Sequence, residues 1–70
     1  MSLRKRSFTL SGHRTSVALE AEFWVVLEAS ARRQNRSLAG LVAVIDGARN
    51  DRPLASALRL HALAAKDHGA

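Results

Sequence analysis

The spacing of apolar positions changes along this chain, and each change marks an element. Over Arg14-Thr15-Ser16-Val17-Ala18-Leu19 the residues alternate: Val17 and Leu19 point to one face, and Arg14, Ser16 and Ala18 to the other. That is the period of a half-buried strand. After Glu20 the spacing becomes helical. Phe23, Leu27 and Ala31 form one stripe, and a first helix is expected from Ala21 to Gln34. Glu20 and Glu22 at its start and Arg32 and Arg33 at its end complement the helix dipole. Asn35 suits the left-handed conformation that ends a helix. Ser37 is a good N-cap for a second helix over Leu38–Ala48, whose buried face is Leu38, Leu41, Val42 and Ile45. Arg49 to Pro53 breaks the pattern. Pro53 suits the first turn of a third helix, expected from Leu54 to about Ala65 within residues 53–66.

A lone strand carries a row of unpaired backbone groups and needs a partner. A second copy of the chain is the simplest one, and two such strands paired antiparallel make a ribbon that fits the DNA major groove. A second candidate precedes it. Ser7-Phe8-Thr9-Leu10 also alternates, and Ser11-Gly12 is a turn signal. A two-residue loop with Leu10 opposite His13 sets Phe8 against Thr15 and Arg6 against Val17. Phe8 and Leu10 then share a face with Val17 and Leu19, while Lys5, Ser7, Thr9, Arg14, Ser16 and Ala18 share the other. Residues 1–12 are thus either a basic arm or an additional strand, residues 13–50 a ribbon and two helices, and residues 53–66 a C-terminal helix.

Composition sharpens this picture. The chain has 70 residues and no Cys, so it is expected to be one domain without disulfides or thiolate metal sites. A domain this small buries only about 60% of its unfolded surface, and oligomerisation is the natural remedy. The net charge of +5, doubled in a dimer, favours a polyanionic partner. Residues 7–16 are too polar for a signal-peptide core, and the longest apolar runs, Phe23 to Leu27 and Leu41 to Ile45, are too short to span a bilayer. The chain is expected to be soluble and cytosolic. No nucleophile–base pair and no Gly-rich phosphate loop appears, and His13, His61 and His68 are scattered. No catalytic residue, metal, cofactor or small-molecule ligand is expected.

Residues 14–48 resemble the ribbon-helix-helix family of bacterial DNA-binding proteins, the family of the Arc, Met and CopG repressors. The ribbon Arg14–Leu19, the acidic helix start Glu20–Glu22, the core positions Phe23 and Leu27, and the turn Asn35-Arg36-Ser37 leading into Leu41, Val42 and Ile45 carry the match. The flanks are similar to a less characterised bacterial subfamily with an extra helix, on Ser11-Gly12-His13-Arg14-Thr15-Ser16, Glu22-Phe23-Trp24, Ile45-Asp46 and Ser56-Ala57-Leu58-Arg59. The resemblance implies an intertwined homodimer, with association of two dimers left open, on double-stranded DNA. It implies that Arg14, Ser16 and Ala18 read base edges and that Ser37 and Leu38, at the start of the second helix, hold a phosphate. It also implies a dimer core of Val17, Leu19, Phe23, Leu27, Leu41, Val42 and Ile45. Ala18 departs from the usual polar third position: it can touch a thymine methyl but donates no hydrogen bond.

Each residue also has a plainer reading. Arg14 is a base reader or a solvated strand charge. Arg4-Lys5-Arg6 is a phosphate clamp or a solubilising tail, and Arg36 either joins the phosphate contact at Ser37 or faces solvent. Trp24 is expected to pack or to lie at a dimer edge, and Asp46 with Arg49 to form a surface pair. The leading function is a homodimeric DNA-binding transcriptional repressor. The alternative is a dimerising protein-interaction module or antitoxin-type partner without strong DNA specificity. Antitoxins usually carry a long C-terminal segment, whereas the residues after the second helix read here as helical and partly apolar.

Overall fold

The computed structural model describes residues 2–69, with side chains for residues 2–66. Two strands, β1 (Leu3–Leu10) and β2 (His13–Glu20), precede three helices, α1 (Ala21–Arg33), α2 (Leu38–Ala48) and α3 (Leu54–Gly69). The strands form one antiparallel two-stranded sheet. Its register pairs Leu10 with His13, Phe8 with Thr15 and Arg6 with Val17, as the alternation predicts. Ser11 and Gly12 have φ of 51° and 81°. Positive φ at both central residues marks the hairpin turn whose twist matches that of the flanking strands. The basic start of the chain is therefore strand from Leu3 onward. Of the two alternatives for residues 1–12, arm or strand, the structure has the strand, and β1 pairs one edge of β2 within the chain.

Helix boundaries follow local chemistry. Asn35 has φ 55°, its N–H donates to Arg32 O at 3.1 Å, and the Arg36 N–H donates to Ala31 O at 2.9 Å. These two bonds close α1 with a Schellman motif. The Ser37 Oγ accepts from the Gly40 N–H at 3.0 Å and caps α2. Pro53 directly precedes α3, where its carbonyl accepts from the Ala57 N–H at 3.0 Å. α3 continues to Gly69, past the expected end, because neither Pro nor Gly interrupts it earlier.

The inner hairpin face and all three helices share one core, centred on Leu19, Trp24, Leu27, Leu41, Val42 and Leu58. Of the expected α1 stripe, Leu27 and Ala31 are buried and Phe23 packs against the core while partly exposed. Trp24 is 2% exposed, whereas Phe23 is only half-buried. The reason is that α1 is covered on two sides. Trp24 meets β1, packing 6.0 Å from the Phe8 ring. Phe23 faces α3, where the Arg59 guanidinium lies 5.8 Å from its ring centroid.

Candidate nucleic-acid interface

Alternation along β1 and β2 leaves one hairpin face to solvent. Four cross-strand pairs share it: Leu3 with Glu20 at one end, then Lys5 with Ala18, Ser7 with Ser16, and Thr9 with Arg14. All are exposed except the half-buried Ala18 and Glu20. The Ser7 and Ser16 hydroxyls are 2.8 Å apart, and Arg14 Nη1 makes a long, weak donation to Thr9 Oγ1 at 3.5 Å. No acidic residue precedes Glu20 in the chain. Glu20 itself, at the end of β2, is engaged by Arg59 Nε at 3.0 Å. Its carboxyl is held below the ordinary carboxylate range first by its own backbone N–H and then by Arg59, outweighing the opposing effect of desolvation. Beyond its Leu3–Glu20 end, the face carries two cations and three hydroxyls on a ribbon whose strands lie about 4.8 Å apart. A major groove about 12 Å wide admits such a ribbon.

The Arg4-Lys5-Arg6 run is divided by the pleat. Lys5 lies on the same face as Arg14. Arg6 lies toward α1, where Nη2 contacts Glu28 Oε1 at 2.7 Å and the guanidinium sits 5.1 Å from the Trp24 ring centroid. The Trp24 Nε1–H donates to the Arg4 carbonyl at 2.8 Å. Trp24 thus ties the first half of β1 to α1, and the position of Lys5 follows from that anchor.

Arg6 also reaches the start of α2. An open recess of about 330 Å³ is lined by Arg6, Glu28, Ala31, Arg32, Arg36, Ser37 and Leu38. The capping bond to Gly40 uses the Ser37 hydroxyl, and the Leu38 N–H, in the first turn, has no intrahelical acceptor. Arg36 Nε donates to Gln34 Oε1 at 3.2 Å. The residues expected to hold phosphate are therefore spread over the structure: Lys5 is on the outer hairpin face with Arg14, Arg4 pairs with Leu19 on the opposite parity, and Arg6 lies with Arg36, Ser37 and Leu38 at the α2 recess. Of the expected dimer core, Val17, Leu19, Leu27, Leu41, Val42 and Ile45 are already buried within one chain. Asp46 and Arg49 pair at 2.7 Å, as their spacing suggests.

Sequence reasoning placed Ser7 and Thr9 on the reading face but gave them no role. The parity signal was present; the hydroxyl contacts to Ser16 and Arg14 needed the register. Among the described residues, no group of three His, Cys, Asp or Glu is placed to hold a metal ion, and no helix is long and apolar enough to cross a membrane.

Comparison with known proteins gives one finding. A family model described as a ribbon-helix-helix domain matches residues 3–65. That span covers both strands, α1, α2 and most of α3. No curated protein and no solved structure matches the chain. Ribbon-helix-helix domains are in general DNA-binding, regulatory domains. On the match over nearly its whole length, together with the ribbon and helices just described, this chain belongs to the ribbon-helix-helix family.

Proposed function

We propose that this protein is a sequence-preferring DNA-binding transcriptional regulator, acting as a homodimer and repressing by occupying its operator on the bacterial nucleoid. The observation that carries the reading is the outer hairpin face, where Lys5 and Arg14 flank a row of hydroxyls and no carboxylate lies between them. With that face in the major groove, Arg14 has the geometry to bind guanine O6 and N7 in bidentate fashion, Ser16 reaches a base edge, and Ala18 touches a thymine methyl. Lys5 attracts the phosphates beside the groove, and Arg4, on the opposite parity of β1, adds only long-range attraction. Arg6, Arg36 and the free N–H groups at Ser37-Leu38 offer a second phosphate site at the positive end of α2.

The second copy is supported by α2. Its inward residues are apolar, and its outer face, Ala39, Ala43, Val44 and Gly47, is exposed and apolar as well. A helix apolar all round belongs in an interior. Among the described residues a Cβ added at Gly47 would meet nothing within 4 Å, so none of them requires glycine there. Glycine costs a helix interior about 1 kcal/mol relative to alanine, and a neighbouring helix packed close against this stripe supplies a reason for it. Both sheet edges are also open within the chain, so β2 can extend its sheet with the β2 of a second copy.

The test is selection of bound duplexes from a random DNA pool, followed by affinity measured against salt. A steep negative slope of log K against log salt with an enriched sequence supports the regulator. The same α2 face would serve a protein-interaction module, and absence of DNA binding at low salt would favour that reading instead.

A further inference from the structure

We propose that Ser7 and Ser16 act as one bidentate reader of adenine, with β1 contributing half of the recognition group. The inference rests on the outer hairpin face being the DNA-contacting surface. It assigns a base-reading role to Ser7, on the strand that precedes the ribbon strand of the family resemblance.

The register sets Ser7 directly opposite Ser16 at the centre of the face. Their hydroxyl oxygens are 2.8 Å apart, and either can be the donor. A hydroxyl carries one proton and two lone pairs. Whichever serine donates spends its proton on the pair and shows only lone pairs outward. The other accepts with one lone pair and keeps its proton free. The pair therefore always presents one acceptor and one donor side by side. That is the pattern of an Asn or Gln amide, and the outer face of this hairpin has neither residue.

The four base pairs answer this pattern differently in the major groove. Adenine presents an acceptor at N7 beside a donor at N6, which complements the serine pair at both atoms. Guanine presents two acceptors at N7 and O6, and the pair has one free proton for them. Cytosine offers only its N4 donor, and thymine only its O4 acceptor and a methyl group. A lone serine satisfies any of these equally and discriminates little. Coupling two serines removes that freedom and selects adenine. Ala18 is two residues along β2 from Ser16, on the same face, so its methyl is placed to meet a thymine methyl near that base pair. The Ala18 departure from a polar third position then matches an A·T step beside the guanine read by Arg14.

Sequence selection from a random duplex pool tests this with wild type, Ser7→Ala, Ser16→Ala, the double variant and Ser7→Thr. All these side chains are exposed, so the fold is expected to survive, and circular dichroism checks it. The expected result is an adenine preference at one position per chain that drops several-fold in Ser7→Ala. The drop should be equal in Ser16→Ala and no larger in the double variant, and Ser7→Thr should restore the preference. The guanine preference owed to Arg14 should persist in all of them. Retention of the adenine preference in Ser7→Ala overturns the inference. So does an additive loss in the double variant, which would mean two independent contacts, and so does a uniform loss across sequences, which would mean a phosphate contact. If wild type enriches no sequence and Arg14→Ala changes nothing, the DNA reading of the face fails and this inference falls with it.

Discussion

On the outer face of the hairpin, the side chains from Lys5 to Thr9 and from Arg14 to Ala18 are polar or small, and the hydroxyls already pair across the strands. On the outer face of α2, Ala39, Ala43, Val44 and Gly47 present almost only carbon. Both surfaces are open to solvent in a single chain, but water satisfies only the first. The polar face is complete as it stands and has chemistry to offer a polyanion. The apolar face has nothing to offer except burial. The hairpin closes within one chain, so the apolar face of α2 and the open edge of β2 are what a second copy would cover.

The largest effect is expected beneath α2, where its inner side meets the core. Leu41 is 1% exposed, and Leu41→Asp would place an unpaired charge there. The loss should be about 3–5 kcal/mol, enough to unfold a domain of this size. Because Leu41 is buried inside one chain, unfolding is expected at every protein concentration. Native circular dichroism in this variant would show that the core is placed elsewhere.

Ala43→Glu addresses the outer side of the same helix. Ala43 is exposed, so the chain should keep its helicity. A second copy packed against α2 would meet an unpaired charge, which typically costs an interface about 2–5 kcal/mol. Sedimentation should show the variant as a monomer at concentrations where wild type is a dimer. An unaltered mass would remove α2 from the interface and leave the open β2 edge as the remaining route to a second copy.

On the hairpin, two cations on one face are expected to differ in kind. Arg14→Ala should weaken binding by about 1–3 kcal/mol and relax preference at a single base position. Lys5→Ala should weaken binding to every sequence alike and flatten the salt slope by about one unit. A change of base preference in Lys5→Ala, or a uniform loss in Arg14→Ala, would reverse these assignments.

Much of this was legible in the sequence. Period-two alternation on both sides of Ser11-Gly12 yielded the hairpin, its register and the composition of its two faces, because a strand pleat leaves no choice once the turn length is set. Asn35 and Ser37 marked the α1–α2 junction because each performs a local task. The sequence did not show which of Phe23 and Trp24 would enter the core. Both suit a helix stripe, and only the placement of β1 over one side of α1 and α3 over the other decides between them. Arg6 was grouped with Lys5 as part of a charge run, since nothing local announces Glu28 and Trp24 as its neighbours. For the α2 outer face, the run Leu38-Ala39-Gly40-Leu41-Val42-Ala43-Val44-Ile45 carries the signal, but only the packed fold shows which of these apolar residues stay exposed.

The smallest effect concerns the junction between the two regions, where Glu20 ends the hairpin and meets α3. Its carboxyl titrates below the ordinary range in the folded chain. A depressed folded value means that its charged form adds stability above the unfolded value, and that this contribution is lost as the pH falls through the lower folded value. Midpoints of urea unfolding should therefore decline in acid, below the ordinary carboxylate range. Glu20→Gln should remove this part of the decline while leaving the neutral-pH fold intact. Arg59→Gln should remove less of it, because the larger cause of the depression is the bond from the backbone N–H of Glu20 itself, and Arg59 comes second. Equal flattening by the two substitutions would make the Arg59 contact at 3.0 Å the controlling interaction. α3 would then owe the acid-sensitive part of its hold on the hairpin to that ion pair, beside the packing of Leu54, Leu58 and Ala62 in the core.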